Sequence, residues 1–336
     1  MRRSLLLISL ASLAFAGCGK KSSTGSAAEV VGLSAVPASA EIVVSADVAR
    51  VMDSPLVDRA VDQLMLREPS LATEWQQLHD SCKFDPARIT HVLFAMGPKG
   101  NQQIGTGPVL MVATGKIAEN ELVTCVRGMV GSGGGEVTAK TVAGHTLYVA
   151  RDGSRVMYFG FGRADTVLLS SNEAFITEAL SPGKKATDNP ELGAWIALAD
   201  QKAPLWAAGR TDPSLRDRLV KLVGGTLSAG PQAITLAFDA TSGAKLDLGA
   251  VMASPADAKT LESFAKTQIA MLGMAAQARS MGKLVDKIVV AAEGKVVHVR
   301  VSLGLDEVNQ LLSALDGGGS AAQDSPPAGS GSGSGP

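Results

Sequence analysis

Histidine and cysteine are the residues of this chain best suited to metal binding or nucleophilic catalysis, and their spacing gives them little to work with. The four histidines are His79, His91, His145 and His298. None stands at i, i+4 with a second ligand, and no His-Glu-x-x-His occurs, so no metal site is predicted. His298 alternates with Val297, Val299 and Val301 and shares a strand's polar side with Arg300. His91 stands likewise against Val92, Phe94 and Met96. The strand histidines therefore read as exposed. Gly160-Phe161-Gly162-Arg163-Ala164-Asp165 has two glycines of a dinucleotide loop but lacks the third and leads into a strand, which predicts a hairpin turn. Gly131 to Gly135 follows a helix pattern and precedes a strand, as a helix end and linker would. No Gly-x-x-x-x-Gly-Lys and no Gly-x-Ser-x-Gly elbow is present. Asp47 ends a strand near Arg50, where a turn or cap role outweighs that of a base. These patterns predict a protein that is not an enzyme and uses no cofactor. Met271, Met274 and Met281 stand among Ile269, Leu272, Leu284 and several alanines. That stretch reads either as a buried core helix or as the wall of an apolar groove over residues 264–285.

The chain start has different chemistry. Arg2-Arg3 precedes a short apolar run, Leu5 to Phe15, that ends in small residues, the plan of a secretory signal over residues 1–17. The run is too short to span a bilayer, which takes ~20 residues. It closes on Phe15-Ala16-Gly17-Cys18, which resembles the lipobox of bacterial lipoproteins, with Phe15 departing from the usual Leu. The resemblance implies a diacylglycerol on the Cys18 sulfur, cleavage before Cys18 and acylation of the new amine. Each buried methylene contributes ~0.8 kcal/mol, so several chains on one residue anchor firmly to a membrane. Residues 18–35 read as the lipidated N-terminus and a flexible tether, since Gly19 to Glu29 is small, polar and aperiodic. Similar lipoproteins carry Asp after the cysteine when retained at the inner membrane. Gly19 thus implies a cell-envelope protein at the outer membrane, facing the periplasm.

Export places the other two cysteines, Cys82 and Cys125, in an oxidising compartment. Leu71, Trp75, Leu78 and Cys82 keep a helical spacing, as do Leu122, Cys125, Val126 and Met129. Each cysteine thus lies on an apolar helix face, which predicts a Cys82–Cys125 disulfide, with two buried free thiols as the alternative. Lys plus Arg number 31 and Asp plus Glu 32, and losing Arg2 and Arg3 would take the net charge from −1 to −3. Nothing is basic and clustered as nucleic-acid binding requires, so no nucleic-acid partner is expected. Aromatics are 4% against 46% apolar residues, so the core must be built from Ala, Val, Leu and Met.

Alternation and turn residues lay out the elements that must hold these groups. Strands are predicted over 41–47, 89–96, 108–114, 136–140, 145–150, 155–161 and 166–170, with helices opening at Ser54-Pro55, Pro69, Ala118 and Asn172. After a connector opening at Asn189-Pro190, strands follow over 204–209, 232–239, 245–252, 287–292 and 295–303. Helices open there at Asp212-Pro213, Ser254-Pro255 and Asp306, the second breaking near Gly273 or Gly282. Leu56-Val57-Asp58-Arg59-Ala60-Val61 and Leu215-Arg216-Asp217-Arg218-Leu219-Val220 occupy the same place in two similar element orders. The expected fold is α+β. It has a first unit at 36–188 and a related second unit at 189–316, each an antiparallel sheet with helices on one face, then a disordered Gly/Ser/Pro tail at 317–336.

Val36-Pro37-Ala38-Ser39-Ala40-Glu41-Ile42-Val43, Ala46-Asp47-Val48, Ser54-Pro55-Leu56 and Cys82-Lys83-Phe84-Asp85-Pro86 resemble a group of uncharacterised Gram-negative lipoproteins. That resemblance implies no activity and brings no catalytic residues. The expected function is a membrane-anchored, non-catalytic binding or scaffold protein of the envelope, whose partner is an envelope protein or another envelope component. The alternative is a carrier of lipid or another apolar ligand in the 264–285 groove.

Overall fold

The computed structural model describes residues 27–70, 73, 76, 80, 82, 85–98, 107–277 and 282–317. Cys18, the signal segment, His79, the Gly97 to Gly107 connection beyond its ends, Met281 and the tail after 317 lie outside the described residues. Among the described residues, twelve strands form one antiparallel sheet. The first half supplies β1 (Ile42–Asp47), β2 (Ile89–Met96), β3 (Val109–Gly115), β4 (Glu136–Val142), β5 (His145–Asp152), β6 (Arg155–Arg163) and β7 (Thr166–Ser170). The second half supplies β8 (Leu205–Arg210), β9 (Ala233–Asp239), β10 (Ala244–Val251), β11 (Ile288–Glu293) and β12 (Val296–Leu303). Across the sheet they run β11-β12-β10-β9-β8-β1-β2-β3-β7-β6-β5-β4. The fold is mixed α and β, with the sheet at its centre. The strand bounds follow the sequence pattern closely because the turns between them are well marked. Ala143 and Gly144 take positive φ at the β4–β5 turn, and Gly294 does so at the β11–β12 turn.

Two expectations about layering are corrected. The two units do not stand as separate sheets: β1 pairs antiparallel with β8, Val43 opposite Ala208 and Ser45 opposite Trp206. Nor are the helices confined to one face. The central strands are apolar at consecutive positions, as at Val43-Val44, Leu93-Phe94, Leu110-Met111 and Leu168-Leu169, so both faces need cover. On one face Val43, Ala95, Leu110, Leu168 and Leu147 meet the helices Glu173–Leu180 and Pro190–Leu198 through Phe175, Ile176, Leu180, Leu192 and Trp195. On the other, Phe159 and Ala150 take Val123 of the helix Glu119–Ser132. Val290 and Val297 on that same face take Ala258 and Leu261 of the helix Pro255–Gln277.

The reading of residues 18–35 as a free tether is corrected for its described part. The Val30 amide donates to the Gly162 carbonyl at 3.0 Å, and Val30 and Ala35 are buried. A Cβ on Gly162 would stand 2.2 Å from the Val30 carbonyl oxygen, so glycine is what lets the two backbones approach. His145, read as exposed, is buried under this segment, with Nδ1 2.9 Å from the Phe161 carbonyl and Nε2 3.1 Å from that of Ala28. The small residues that look like linker in the sequence are the ones that fit a narrow space over β6. In the last described helix Val308 is buried whereas Leu311 is 36% exposed.

Candidate functional site

The helix Pro255–Gln277 begins with a built N-terminus. Pro255 fills its first position, and the Ser254 hydroxyl accepts from the Asp257 amide at 3.1 Å while donating to Asp257 Oδ2 at 2.7 Å. Asp257 is itself buried, and accepts from the Ser228 amide at 2.7 Å and the Ser228 hydroxyl at 2.6 Å. The hydrogen bonds from Ser228, then Ser254, hold its carboxyl below the usual carboxylate range. A carboxylate with a depressed folded pKa stabilises the fold above the unfolded value, about 4, and loses that contribution as pH falls through the folded value. Asp257→Asn is therefore expected to lower stability at pH 7 and to shrink the loss seen on acidification below about pH 4. Urea midpoints at pH 7 and pH 3 check this; equal drops for the variant at both pH values would contradict it.

From this anchored start the helix lays Ala258, Leu261, Phe264, Ala265 and Ile269 against Val290, Val297 and Val299 of the outermost strands. The helix runs through Gly273 without a break, and the next described helix is Gly282–Val285. Past Ile269 its large apolar residues are no longer covered, although Ala276 is buried. Met271 is 46% exposed, Leu272 53% and Met274 68%. Between this part of the helix and β11 lies an open groove of about 570 Å³. Its apolar wall is formed by Ile269, Ala270, Met274, Val285, Ile288 and Val290, with Lys266, Gln277 and Asp286 also lining it. Of the two readings of residues 264–285, the part up to Ile269 packs as core, and Met271, Leu272 and Met274 beyond it lie at the surface.

Among the described residues β11 is the end of the sheet and pairs only with β12. Its outer edge therefore presents unpaired backbone groups, the usual template for another strand. Edge strands are normally guarded by proline, lysine or a bulge. Ile288 to Glu293 has no proline or lysine and one charge, at its last residue. The opposite edge strand, β4, carries Glu136 and Lys140 instead.

The sheet face opposite the groove bears a cluster of charge. Asp247 accepts from His298 Nδ1 at 2.8 Å and from Arg300 Nε at 3.0 Å, and Arg300 Nη1 reaches Glu293 at 2.6 Å. Burial raises the Asp247 carboxyl, but the hydrogen bonds from His298 and Arg300 outweigh it and leave the group below its ordinary value. Glu293 and Asp247 raise Arg300 further. A cleft of about 380 Å³ beside them is lined by Asp200, Lys202, Asp239, Lys245 and Lys287. Each charge in the cluster meets an opposite one, and among the described residues no three His, Cys, Asp or Glu side chains converge as a metal site. The sequence pairs His298 with Arg300 on one strand side, but not with Asp247, whose partnership depends on the β10–β12 register.

Cys82 and Cys125 come together, their Cα atoms 5.0 Å apart, within the span of a disulfide. Met129 Sδ lies 3.7 Å from Cys82 Sγ, and Arg88 bonds Glu121 at 3.1 Å nearby. Asp47 caps the helix Val48–Met52 by accepting from the Arg50 amide at 3.2 Å, and His91 Nε2 stands 3.7 Å from Asp47. Gly160 to Asp165 lies in the β6–β7 hairpin. No protein-family model matches the chain, and no curated protein does. A solved structure titled "Structure of crystal form I of TP0453", from Treponema, aligns with 86% of this chain and 99% of that one, at 11% identity and a TM-score of 0.44. No described helix is long and apolar enough to cross a membrane.

Proposed function

We propose that this chain is a lipid-anchored, non-catalytic binding protein of the cell envelope, held at the outer membrane through Cys18, and that it takes a polypeptide partner along the groove beside β11. The observation that carries this reading is the run of exposed Met271, Leu272 and Met274 next to an unguarded apolar edge strand. A protein partner adding a strand there would satisfy the free backbone groups of β11, and apolar side chains would cover the methionines. The groove is open along its side, which suits a chain better than an isolated lipid tail.

The body that presents this groove is read as an ancient duplication. Outward from the β1–β8 seam, the order β1-β2-β3-β7-β6 on one side is matched by β8-β9-β10-β12-β11 on the other. A helix follows the third strand of each set, Glu119–Ser132 and Pro255–Gln277. The β4–β5 hairpin is the addition in the first copy. It extends the sheet beyond β6, so the second copy keeps the bare edge that the first has lost.

The test is photocrosslinking in intact cells from a reactive analogue placed at Met274, with another at Asp217 on the exposed face of the helix Pro213–Leu222 as control. Reproducible polypeptide adducts from 274 alone are expected. Absence of polypeptide adducts, with phospholipid retained in native mass spectra of the purified chain, would favour the carrier of an apolar ligand instead.

A further inference from the structure

The groove reading leaves open which polypeptide lies against β11, and the strand's own pattern identifies one. We infer that the partner is a second copy of this chain, joined by antiparallel pairing of β11 with β11 about a two-fold axis at Val290. The inference rests on the groove being a polypeptide site, and the geometry of the edge carries it further.

Glu293 and Val296 close a two-residue hairpin, so that pair exchanges hydrogen bonds within the sheet. Alternation then turns the backbone groups of Glu293, Ala291 and Val289 toward β12, and those of Ala292, Val290 and Ile288 outward. Two copies can pair only by matching outward-facing residues with outward-facing residues. A two-fold axis at Val290 does so, with Val290 opposite itself and Ile288 opposite Ala292. The same register sets Lys287 opposite Glu293 at both ends of the ribbon, where they would extend the ion pairs each already makes within its own chain, Lys287 with Glu307 at 3.1 Å and Glu293 with Arg300 at 2.6 Å. Moving the axis to Ala291 also matches outward groups, but it sets Lys287 opposite Lys295 and Glu293 opposite Val289. Moving it to Val289 sets Glu293 opposite Val285 and gives Lys287 only Ala291. Like charges directly opposite destabilise a cross-strand pair, and the register at Val290 avoids the lysine pair while joining the two existing ion pairs into one network.

The side chains agree with that choice. Val290 is itself 5% exposed, packed under the helix, and it is the exposed Met274 beside it in the groove that offers uncovered apolar surface near the axis. A two-fold contact is self-complementary, so each copy covers on the other what it exposes itself. Strand pairing of this length is small for a stable interface, which needs about 1,200 Å² or more in total. The methionine end of the helix, brought alongside its counterpart, supplies the additional apolar area. Antiparallel edge pairing already joins the two halves of one chain at β1 and β8. The inferred dimer repeats that junction at the next free edge.

The experiment uses the full lipidated chain in detergent, with sedimentation velocity across micromolar concentrations and oxidative crosslinking of single-cysteine insertions. The wild type is expected to dimerise, and Met274→Glu to weaken the dimer by about tenfold or more, because it would bury an unpaired charge. Val290→Cys is expected to form a covalent dimer in much higher yield than Val289→Cys, since hydrogen-bonded antiparallel partners lie ~5.5 Å apart, within disulfide range. A wild type that stays monomeric at all concentrations overturns the inference, whatever the cysteine variants do. A dimer that is indifferent to Met274→Glu, or that crosslinks equally at 289 and 290, overturns it too. If the chain is monomeric while Met274 crosslinks a different protein in cells, the groove reading stands and only the second copy is lost.

Discussion

Replacing Cys82 and Cys125 together by serine is expected to destabilise the protein by about 4 kcal/mol, the entropy that a bridge of this span removes from the unfolded chain. The two residues are 43 apart in sequence and their Cα atoms 5.0 Å apart in the fold, inside the range a disulfide spans. The bridge joins the helical segment at Cys82 to the helix Glu119–Ser132, whose Val123 packs on Phe159 and Ala150. Releasing it frees the segment between the two cysteines, while the sheet keeps its own register. The melting temperature should fall by about 10 °C, and the reduced wild type should melt with the double variant. Intact mass after denaturing alkylation without reductant gives the independent check. Two alkylated thiols in native protein would show that Cys82 and Cys125 are merely buried together.

Strands and helix starts are legible in this sequence because their signals are local. Ser54-Pro55, Asn172, Asn189-Pro190 and Asp212-Pro213 each state a helix start, and Asn172, Asn189 and Asp212 accept from backbone amides as such residues should. The pairing partners of the strands are not local. Nothing near Val43 says that Ala208 lies opposite it, and the joining of two units into one sheet follows from that contact. The same holds for Asp247, which becomes the partner of His298 and Arg300 only once β10 lies beside β12. The Met271 to Met274 stretch was ambiguous for another reason. A helical apolar stripe has the same spacing whether it faces a core or a groove, and only the end of the sheet at β11 separates the two. His145 and Val30 show the converse, a buried contact made by residues whose neighbours are small and polar.

Trp206→Ala is expected to destabilise both halves of the chain together, by about 3–5 kcal/mol. Trp206 is 5% exposed and lies on β8, in register with Ser45 of β1 on one side and Ala237 of β9 on the other. The cluster that contains it draws Val43, Ala95, Leu110 and Leu168 from the first half and Trp195, Ala208, Ala233 and Val251 from the second. A core shared in this way has no surface at which the halves can part without exposing apolar area on both. The segment between the halves, near Asn189, is therefore a boundary in sequence and not in folding. The Asn189 side chain itself donates to the Ala38 carbonyl at 2.9 Å, and Pro37 bridges to Lys185. Native-state hydrogen exchange resolves the point, because amides of β2 and β3 report the first half and those of β9 and β10 the second. In Trp206→Ala the most protected amides of both sets should lose the same free energy, and urea unfolding should stay a single transition. Loss confined to β9 and β10 would mean that the β1–β8 seam opens before either half unfolds, and that the two halves have separate stabilities.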